Sequence, residues 1–136
     1  MANGTVLKVV DGRPENRGDA CDIKFANLDE YAGNYLVLDI GNGRYVFYAH
    51  CVPNKFLVTQ GETVKEGDPI GILGNSGNST APHLHFQITD GLHLFLSNGL
   101  PFVIKKYTKI GNFQTGPISP VVYTNAMMEE QTVISF

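Results

Sequence analysis

The sequence predicts an all-β protein built from short antiparallel strands. Stretches rich in β-branched and aromatic residues alternate with turn residues, and no segment longer than ten residues keeps a convincing helical period. Glycine, at 15 of 136 residues, exceeds its usual share of ~7%, which indicates many tight turns. We therefore expect a β-sandwich or a β-barrel.

The strands can be placed from their residue types. Residues 5–10 (TVLKVV) are rich in β-branched residues, and residues 34–40 (NYLVLDI) are apolar enough for a strand buried on both faces. The Gly-Asn-Gly stretch at 41–43 predicts a hairpin turn into a returning strand at 44–50. Further strands are predicted at residues 56–59, 69–73, 83–89 and 102–107. We expect the strand at 83–89 to be central.

Three stretches are predicted to depart from this pattern. Residues 11–32 are polar, rich in turn residues and too long for an ordinary hairpin loop, so we expect an excursion over the surface. Residues 111–120 (GNFQTGPISP) predict an irregular connection. A short helical turn is expected near residues 125–131.

Length and composition fit one globular domain over residues 1–136. Apolar residues make up 43% and charged residues 17%, which excludes a disordered chain. A net charge of −3 gives no electrostatic reason to expect binding of nucleic acid or of an anionic membrane. No apolar run approaches the roughly 20 residues of a membrane span, and we expect neither a span nor a signal peptide in these residues.

The two cysteines, Cys21 and Cys51, leave the redox compartment open. A disulfide between them is one alternative. We favour two separate thiols, because nothing else in the sequence suggests a disulfide framework.

A histidine pair follows a loop of small polar residues in GNSTAPHLHF. Residues i and i+2 of a strand point to the same face, so His83 and His85 should project together, with Leu84 and Phe86 facing the core. Such a pair suits one metal ligand beside one general base, although an exposed polar strand face is an alternative. His50, which closes the strand at 44–50, is expected to join the pair. His93 is expected on the surface.

The start of the chain carries a hairpin signal with no strand before it. Asn3-Gly4 is a strong hairpin dipeptide, and a good strand follows it. We therefore expect the chain to begin in the middle of a hairpin, which would leave the strand at 5–10 with an unpaired edge. Such an edge predicts self-association, or cover by the chain's own C-terminal segment.

Several stretches together resemble the zinc metallopeptidases of the M23 or LytM/lysostaphin type, which cut peptide cross-links in bacterial peptidoglycan. The matching stretches are GNYLVLDIGNG (33–43), YAH (48–50), the run from VTQGETV to HLHFQI (58–88) and ANGTV (2–6). Residues 97–102 and the closing VISF also resemble the C-terminal part of one M23 subgroup. These pieces stand in the family's order.

The resemblance implies a β-sandwich of the duplicated hybrid-motif type, with zinc as cofactor and peptidoglycan peptides as partner. It assigns His85 as a zinc ligand. It assigns His50 and His83 as the catalytic pair that activates water and stabilises the oxyanion of the tetrahedral intermediate. It also implies a location in the cell envelope or outside the cell.

One departure from the family pattern changes the expectation. The family's other two zinc ligands come from a His-x-x-x-Asp motif before the ANGTV turn, and this sequence contains no such motif. We therefore expect a chain truncated at its N-terminus, with zinc absent or weakly bound, which does not hydrolyse peptidoglycan alone. If it were active, the first replacement ligands to examine would be Asp11, Asp19, Cys21 and Asp22.

Two alternatives lie outside this interpretation. The chain could be a degenerate, metal-free LytM-like domain that binds or regulates other proteins of the cell envelope. VKEGDPIG (64–71) also resembles the turn of biotinyl or lipoyl carrier domains. Neither Lys65 nor Lys105-Lys106 has the setting of a modified carrier lysine, so we do not expect a carrier.

Overall fold

The computed structural model describes residues 2–17, 26–112, 114–129 and 132–135. The chain divides into two compact units, Met1–Leu100 and Pro101–Phe136. Each unit contains one antiparallel sheet, so the all-β prediction is confirmed. The assignment of residues 1–136 to one domain stays a prediction. In these ranges no helix is long and apolar enough to cross a membrane.

The first unit is built on a five-stranded antiparallel sheet. Its elements are β1 (Gly4–Val10), α1 (Leu28–Tyr31), β2 (Asn34–Asp39), β3 (Tyr45–Cys51), β4 (Thr63–Val64) and β5 (His85–Thr89). The strand order is β4-β1-β2-β3-β5. The predicted turn at 41–43 connects β2 and β3, and all three of its residues have positive φ.

Alternation along β2 and β3 buries side chains on both faces of this sheet. One face carries a cluster that includes Leu36, Leu38 and Tyr48. The other face carries a cluster that includes Val37 and Phe47. The prediction that the second strand is buried on both faces is therefore confirmed.

Strand β1 is not the terminal strand of this sheet, so the prediction of a wholly unpaired edge was wrong. Strand β4 pairs with it at Gly4 and Thr5, and the Val6 amide donates to the Glu62 carbonyl at 2.8 Å. The turn before β4 brings these residues back to β1. Self-association stays a prediction.

Strand β5 lies at the end of the strand order in the described part of the sheet, so the prediction that it would be central was also wrong. Its apolar residues indicated burial, but burial of one face does not fix how many strands flank it. The strand begins at His85, two residues later than predicted. Leu84 lies before it and is 45% exposed, so its expected place in the core was wrong, whereas Phe86 packs against the core.

Residues 56–59 and 69–73 do not form the predicted strands. They make single contacts instead: the Leu57 amide donates to the Ile70 carbonyl at 3.1 Å, and Leu73 forms an isolated bridge with Cys51. Turns with positive φ at Gly61 and Gly67 separate the two segments.

The long excursion between β1 and β2 contains a short helix. Helix α1 begins after Asn27, whose side chain accepts a hydrogen bond from the Glu30 amide at 3.2 Å. A four-residue helix is too short to leave a periodic signal in the sequence, so it was missed. Earlier in the excursion, Glu15 forms a bridge with Ser76. Residues 18–25, which include Cys21, lie outside the described residues, and Cys51 is a free buried thiol.

The second unit contains β6 (Ile104–Asn112), β7 (Gly116–Ala126) and β8 (Thr132–Ser135), in the order β7-β6-β8. Strand β6 extends well past the predicted strand at 102–107. Strand β7 begins at Gly116 and occupies half of the stretch predicted to be irregular, and β6 occupies its first two residues, so that prediction was wrong. Prolines 117 and 120 suggested a loop, but β7 is a terminal strand of the described sheet, where proline is tolerated.

The predicted helical turn near residues 125–131 was wrong in its described part. Asn125 and Ala126 end β7, and residues 127–129 have no regular structure. Residues 130 and 131 lie outside the described residues.

Candidate active site

The three histidines singled out from the sequence lie together in the first unit. The ring centroids of His50 and His83 are 4.7 Å apart, and those of His50 and His85 are 5.7 Å apart. The pairing of β3 with β5 produces this arrangement, because Ala49 lies directly opposite His85. His93 is exposed in the loop after β5, as expected.

His50 occupies a strained backbone position. Its φ of 64° lies in the left-handed region, which residues other than glycine seldom adopt. The register between β2 and β3 shifts here, so that Ala49 and His50 lie opposite Tyr35, as in a β-bulge. The His50 amide donates to the Ala32 carbonyl at 3.0 Å. Backbone strain of this kind is concentrated at functional sites.

The His50 ring is buried and has a defined proton position. Its Nδ1 lies 2.7 Å from the Ser76 carbonyl oxygen. A carbonyl oxygen only accepts, so the neutral ring carries its proton on Nδ1 and leaves the Nε2 lone pair available. Burial lowers the pKa of His50 below its ordinary value, the bond to Ser76 acts in the opposite direction, and His83 and His85 add to the lowering. The neutral imidazole is therefore favoured.

The exposed ring of His83 has the same proton arrangement. Its Nδ1 lies 2.9 Å from the Ala81 carbonyl oxygen and 3.1 Å from the Ser79 hydroxyl. Since the Ala81 carbonyl accepts, the Nδ1 of His83 carries a proton and its Nε2 is the remaining nitrogen. Both His50 and His83 therefore keep Nε2 available for chemistry.

His85 is oriented by Gln87, which lies on the same face two residues later. The Gln87 side-chain amide donates to the Leu94 carbonyl at 3.4 Å, so its Oε1 is the atom that lies 3.3 Å from the His85 Nε2. The His85 Nε2–H donates to that oxygen, which leaves Nδ1 as the nitrogen with a lone pair. Sequence reasoning did not single out Gln87, although its spacing from His85 was a usable signal.

The loop before His83 is held by the segment that follows β1. The Asn75 amide donates to a Glu15 carboxylate oxygen at 2.8 Å. The Asn16 side-chain amide donates to the carbonyls of Gly77 and Ser79, both at 2.7 Å. These bonds fix the residues that contact the rings of His50 and His83.

The donors in the described residues do not fit a resident zinc ion. Within those ranges no group of three His, Cys, Asp or Glu side chains could hold a metal. Catalytic zinc sites normally use three protein ligands. The Asp11 carboxylate accepts from the amides of Gly12 and Asn54. Asp19, Cys21 and Asp22 lie outside the described residues.

Comparison with known proteins identifies the family. Residues 2–95 match the model of Peptidase family M23, and the chain belongs to this family. It is 39% identical over 87 residues to the peptidoglycan DD-endopeptidase ShyA of Vibrio cholerae, an alignment that covers 63% of this chain and 20% of ShyA. It is 45% identical over 56 residues to an uncharacterized metalloprotease of Haemophilus influenzae, an alignment that covers 41% of this chain and 11% of that protein.

A solved structure described as that of LytU gives a TM-score of 0.51 at 28% identity, covering 72% of this chain and 57% of that chain. The chain spans a fifth or less of the length of ShyA and of the Haemophilus influenzae metalloprotease. The family suggested by the sequence resemblance is confirmed. The roles of His50, His83 and His85 stay predictions.

Proposed function

We propose that this domain acts on the peptide cross-links of bacterial peptidoglycan, in the cell envelope or outside the cell. The observation that carries the proposal is the convergence of His50, His83 and His85, with the Nε2 atoms of the first two available. Membership in family M23 and the likeness to a peptidoglycan DD-endopeptidase support this substrate class.

Within this proposal the two catalytic histidines have different roles. His50 is buried, its pKa is lowered, and its Nε2 is unprotonated, so it suits the general base that takes a proton from the attacking water. His83 is exposed, and its protonated form can donate Nε2–H to the oxyanion that forms on the scissile carbonyl. The proton taken by His50 then passes to the leaving amine.

We further propose that the 136-residue chain does not hydrolyse cross-links by itself, and that zinc is absent from it or bound weakly. His85 is the proposed metal ligand, because its Nδ1 has the lone pair left by the contact with Gln87. One such nitrogen does not make a catalytic zinc site, and the described residues offer no set of three donors.

The test is a digest of cross-linked muropeptides with zinc, with and without a chelator. Two proteins are compared: the 136-residue chain, and the same chain preceded by a His-x-x-x-Asp strand taken from an M23 relative. We expect hydrolysis by the extended protein alone, abolished by the chelator and by His50→Ala. Chelator-sensitive hydrolysis by the shorter chain would refute the proposed inactivity, and substitutions at Asp11, Asp19, Cys21 and Asp22 would then locate the donors.

A second candidate function is a metal-free domain that binds or regulates in the cell envelope. The incomplete donor set in the described residues favours it. Under this alternative the extended protein also fails to hydrolyse, while the 136-residue chain binds muropeptides equally well with and without a chelator. Hydrolysis by the extended protein separates the two candidates, and isothermal titration with intact muropeptides tests the binding that the second one requires.

A further inference from the structure

Two buried polar side chains, Asn34 and Ser76, lie next to His50 and have no part in the proposed chemistry. Both residues are 0% exposed. Burying a polar group is unfavourable unless it is hydrogen-bonded, so the partners of these side chains indicate their purpose.

Asn34 bonds to two other segments of the chain. Its Oδ1 accepts from the Arg13 amide at 2.8 Å, and its Nδ2 donates to the Arg13 carbonyl at 2.8 Å. The same Nδ2 donates to the Cys51 carbonyl at 3.0 Å. Asn34 thus connects the start of β2 to the segment after β1 and to the residue that follows His50.

Ser76 completes the arrangement from the loop before His83. Its hydroxyl donates to the Cys51 carbonyl at 2.8 Å and accepts from the backbone amide of Asn34 at 2.9 Å. Its own carbonyl oxygen accepts the Nδ1–H of His50 at 2.7 Å. The hydroxyl of Ser76 therefore fixes the position of the carbonyl that determines the tautomer of His50.

These bonds act on both sides of the strained residue. The His50 amide is bonded to Ala32, and the following carbonyl, that of Cys51, receives donors from both Asn34 and Ser76. A left-handed residue other than glycine persists only where its surroundings hold it there.

We propose that Asn34 and Ser76 are positioning residues for His50. They maintain its left-handed backbone and its Nδ1–H tautomer, so that Nε2 stays available. The inference rests on the proposed role of His50 for its catalytic meaning, but the arrangement itself can be measured without substrate, metal or turnover.

The experiment records ring-nitrogen NMR spectra of the ¹⁵N-histidine-labelled 136-residue chain with a chelator, at a pH about two units above the ordinary histidine pKa of about 6.5. We expect wild-type His50 to show Nδ1 protonated and Nε2 unprotonated. In Ser76→Ala and Asn34→Ala the Nε2–H tautomer should rise to at least about a tenth of the His50 signal, because the bond that selects the tautomer is loosened. Ser76→Cys, of similar shape but with a weak donor, should be intermediate.

Two controls separate positioning from loss of stability. Thr89 is also 0% exposed and its hydroxyl donates to the Gly91 carbonyl at 2.8 Å, so Thr89→Val removes a buried hydrogen bond away from His50. Ser79→Ala removes a hydroxyl that contacts His83 instead. Both should leave the His50 tautomer unchanged.

The proposal is overturned if His50 keeps its wild-type tautomer in those Ser76 and Asn34 variants whose amide spectra show a folded chain. It is equally overturned if Thr89→Val shifts the tautomer as much as Ser76→Ala. Ser76→Cys, the mildest change, keeps the test valid if the alanine variants do not fold. A failure of the extended protein to hydrolyse muropeptides would refute the proposed function and leave this result standing.

Discussion

Gly33 and Gly77 pack backbone against backbone. A Cβ atom on Gly77 would lie 2.6 Å from the Cα atom of Gly33, and one on Gly33 would lie 2.5 Å from the carbonyl carbon of Ser76. Both glycines also have positive φ. The start of β2 therefore contacts the loop that carries Ser76 closely enough to require glycine on both sides.

Gly33→Ala should destabilise the chain by about 3 kcal/mol, because a positive φ costs alanine about 1–2 kcal/mol and the clash with Ser76 adds to it. Gly43→Ala is the matched control, since Gly43 has φ 67° against 66° for Gly33 but open space around its Cβ position. We expect that control to lose only the conformational part, about 1–2 kcal/mol. Urea unfolding measures the loss of stability in both variants. Equal losses would show that the close approach of Gly33 to Ser76 does not contribute.

The left-handed backbone of His50 should reverse the usual order of alanine and glycine. In an ordinary strand, glycine is less stable than alanine by about 0.5–1 kcal/mol. At φ 64° the order should invert, with His50→Gly more stable than His50→Ala by about 1 kcal/mol. The pair Ala49 and Ala49→Gly, one residue earlier in β3, should keep the usual order. Chemical denaturation of the wild type, Ala49→Gly, His50→Ala and His50→Gly checks this. A higher free energy of unfolding for His50→Ala than for His50→Gly would contradict the prediction.

The Tyr48 hydroxyl is buried without a hydrogen-bond partner among the described residues. An unpaired buried polar group costs about 1–3 kcal/mol, so Tyr48→Phe should stabilise the chain by about 1 kcal/mol. Tyr35→Phe should do the opposite, because the hydroxyl of Tyr35, also a buried residue, accepts from the Lys8 ammonium at 2.7 Å. Thermal and urea unfolding would show the opposite signs. A destabilised Tyr48→Phe would mean that this hydroxyl has a partner.

Stability should fall at alkaline pH through two buried groups of β3. Burial raises the pKa of Cys51 from 9.0 to about 11 and that of Tyr48 from 10.0 to about 12. Because both pKa values are higher in the folded state, their contribution is complete below about pH 9 and is lost as pH rises toward about 11 for Cys51 and about 12 for Tyr48. The free energy of unfolding, measured from neutral pH upward, should decline less steeply in a Cys51→Ala, Tyr48→Phe double variant. If the free energy of unfolding of the double variant declined as steeply as that of the wild type, groups other than Cys51 and Tyr48 would cause the decline.

The fold could be predicted where burial alternates along the sequence, and not where pairing depends on distant residues. Strands β1, β2 and β3 were predicted close to their observed bounds because their apolar residues must face a core. Strand β4 has only two residues and was missed, since so short a strand carries no pattern. Its pairing with β1 nevertheless determines which strand forms the edge.

The candidate site could also be predicted only in part. His50, His83 and His85 could be predicted to converge because the strand periodicity and the family resemblance both concern local sequence. The roles of Asn34 and Ser76 could not be predicted. They arise from hydrogen bonds between residues that lie 17 to 42 positions apart in the sequence. A serine in a polar loop looks the same in the sequence whether it is exposed or fully buried.

The contacts around His50 also determine when the site can form as the chain folds. Strands β2 and β3 are joined by a short turn and can pair early, whereas the bond from Asn75 to Glu15 spans 60 positions and that from Asn16 to Ser79 spans 63. Contacts between distant residues form slowly, because the chain entropy must be lost before the contact is gained. We therefore expect the hairpin of β2 and β3 to appear before the histidine arrangement during refolding. A chain that has its β-structure but not yet the loop from Gly74 to Ser79 in place would contain all three histidines and still lack the geometry that makes them a site.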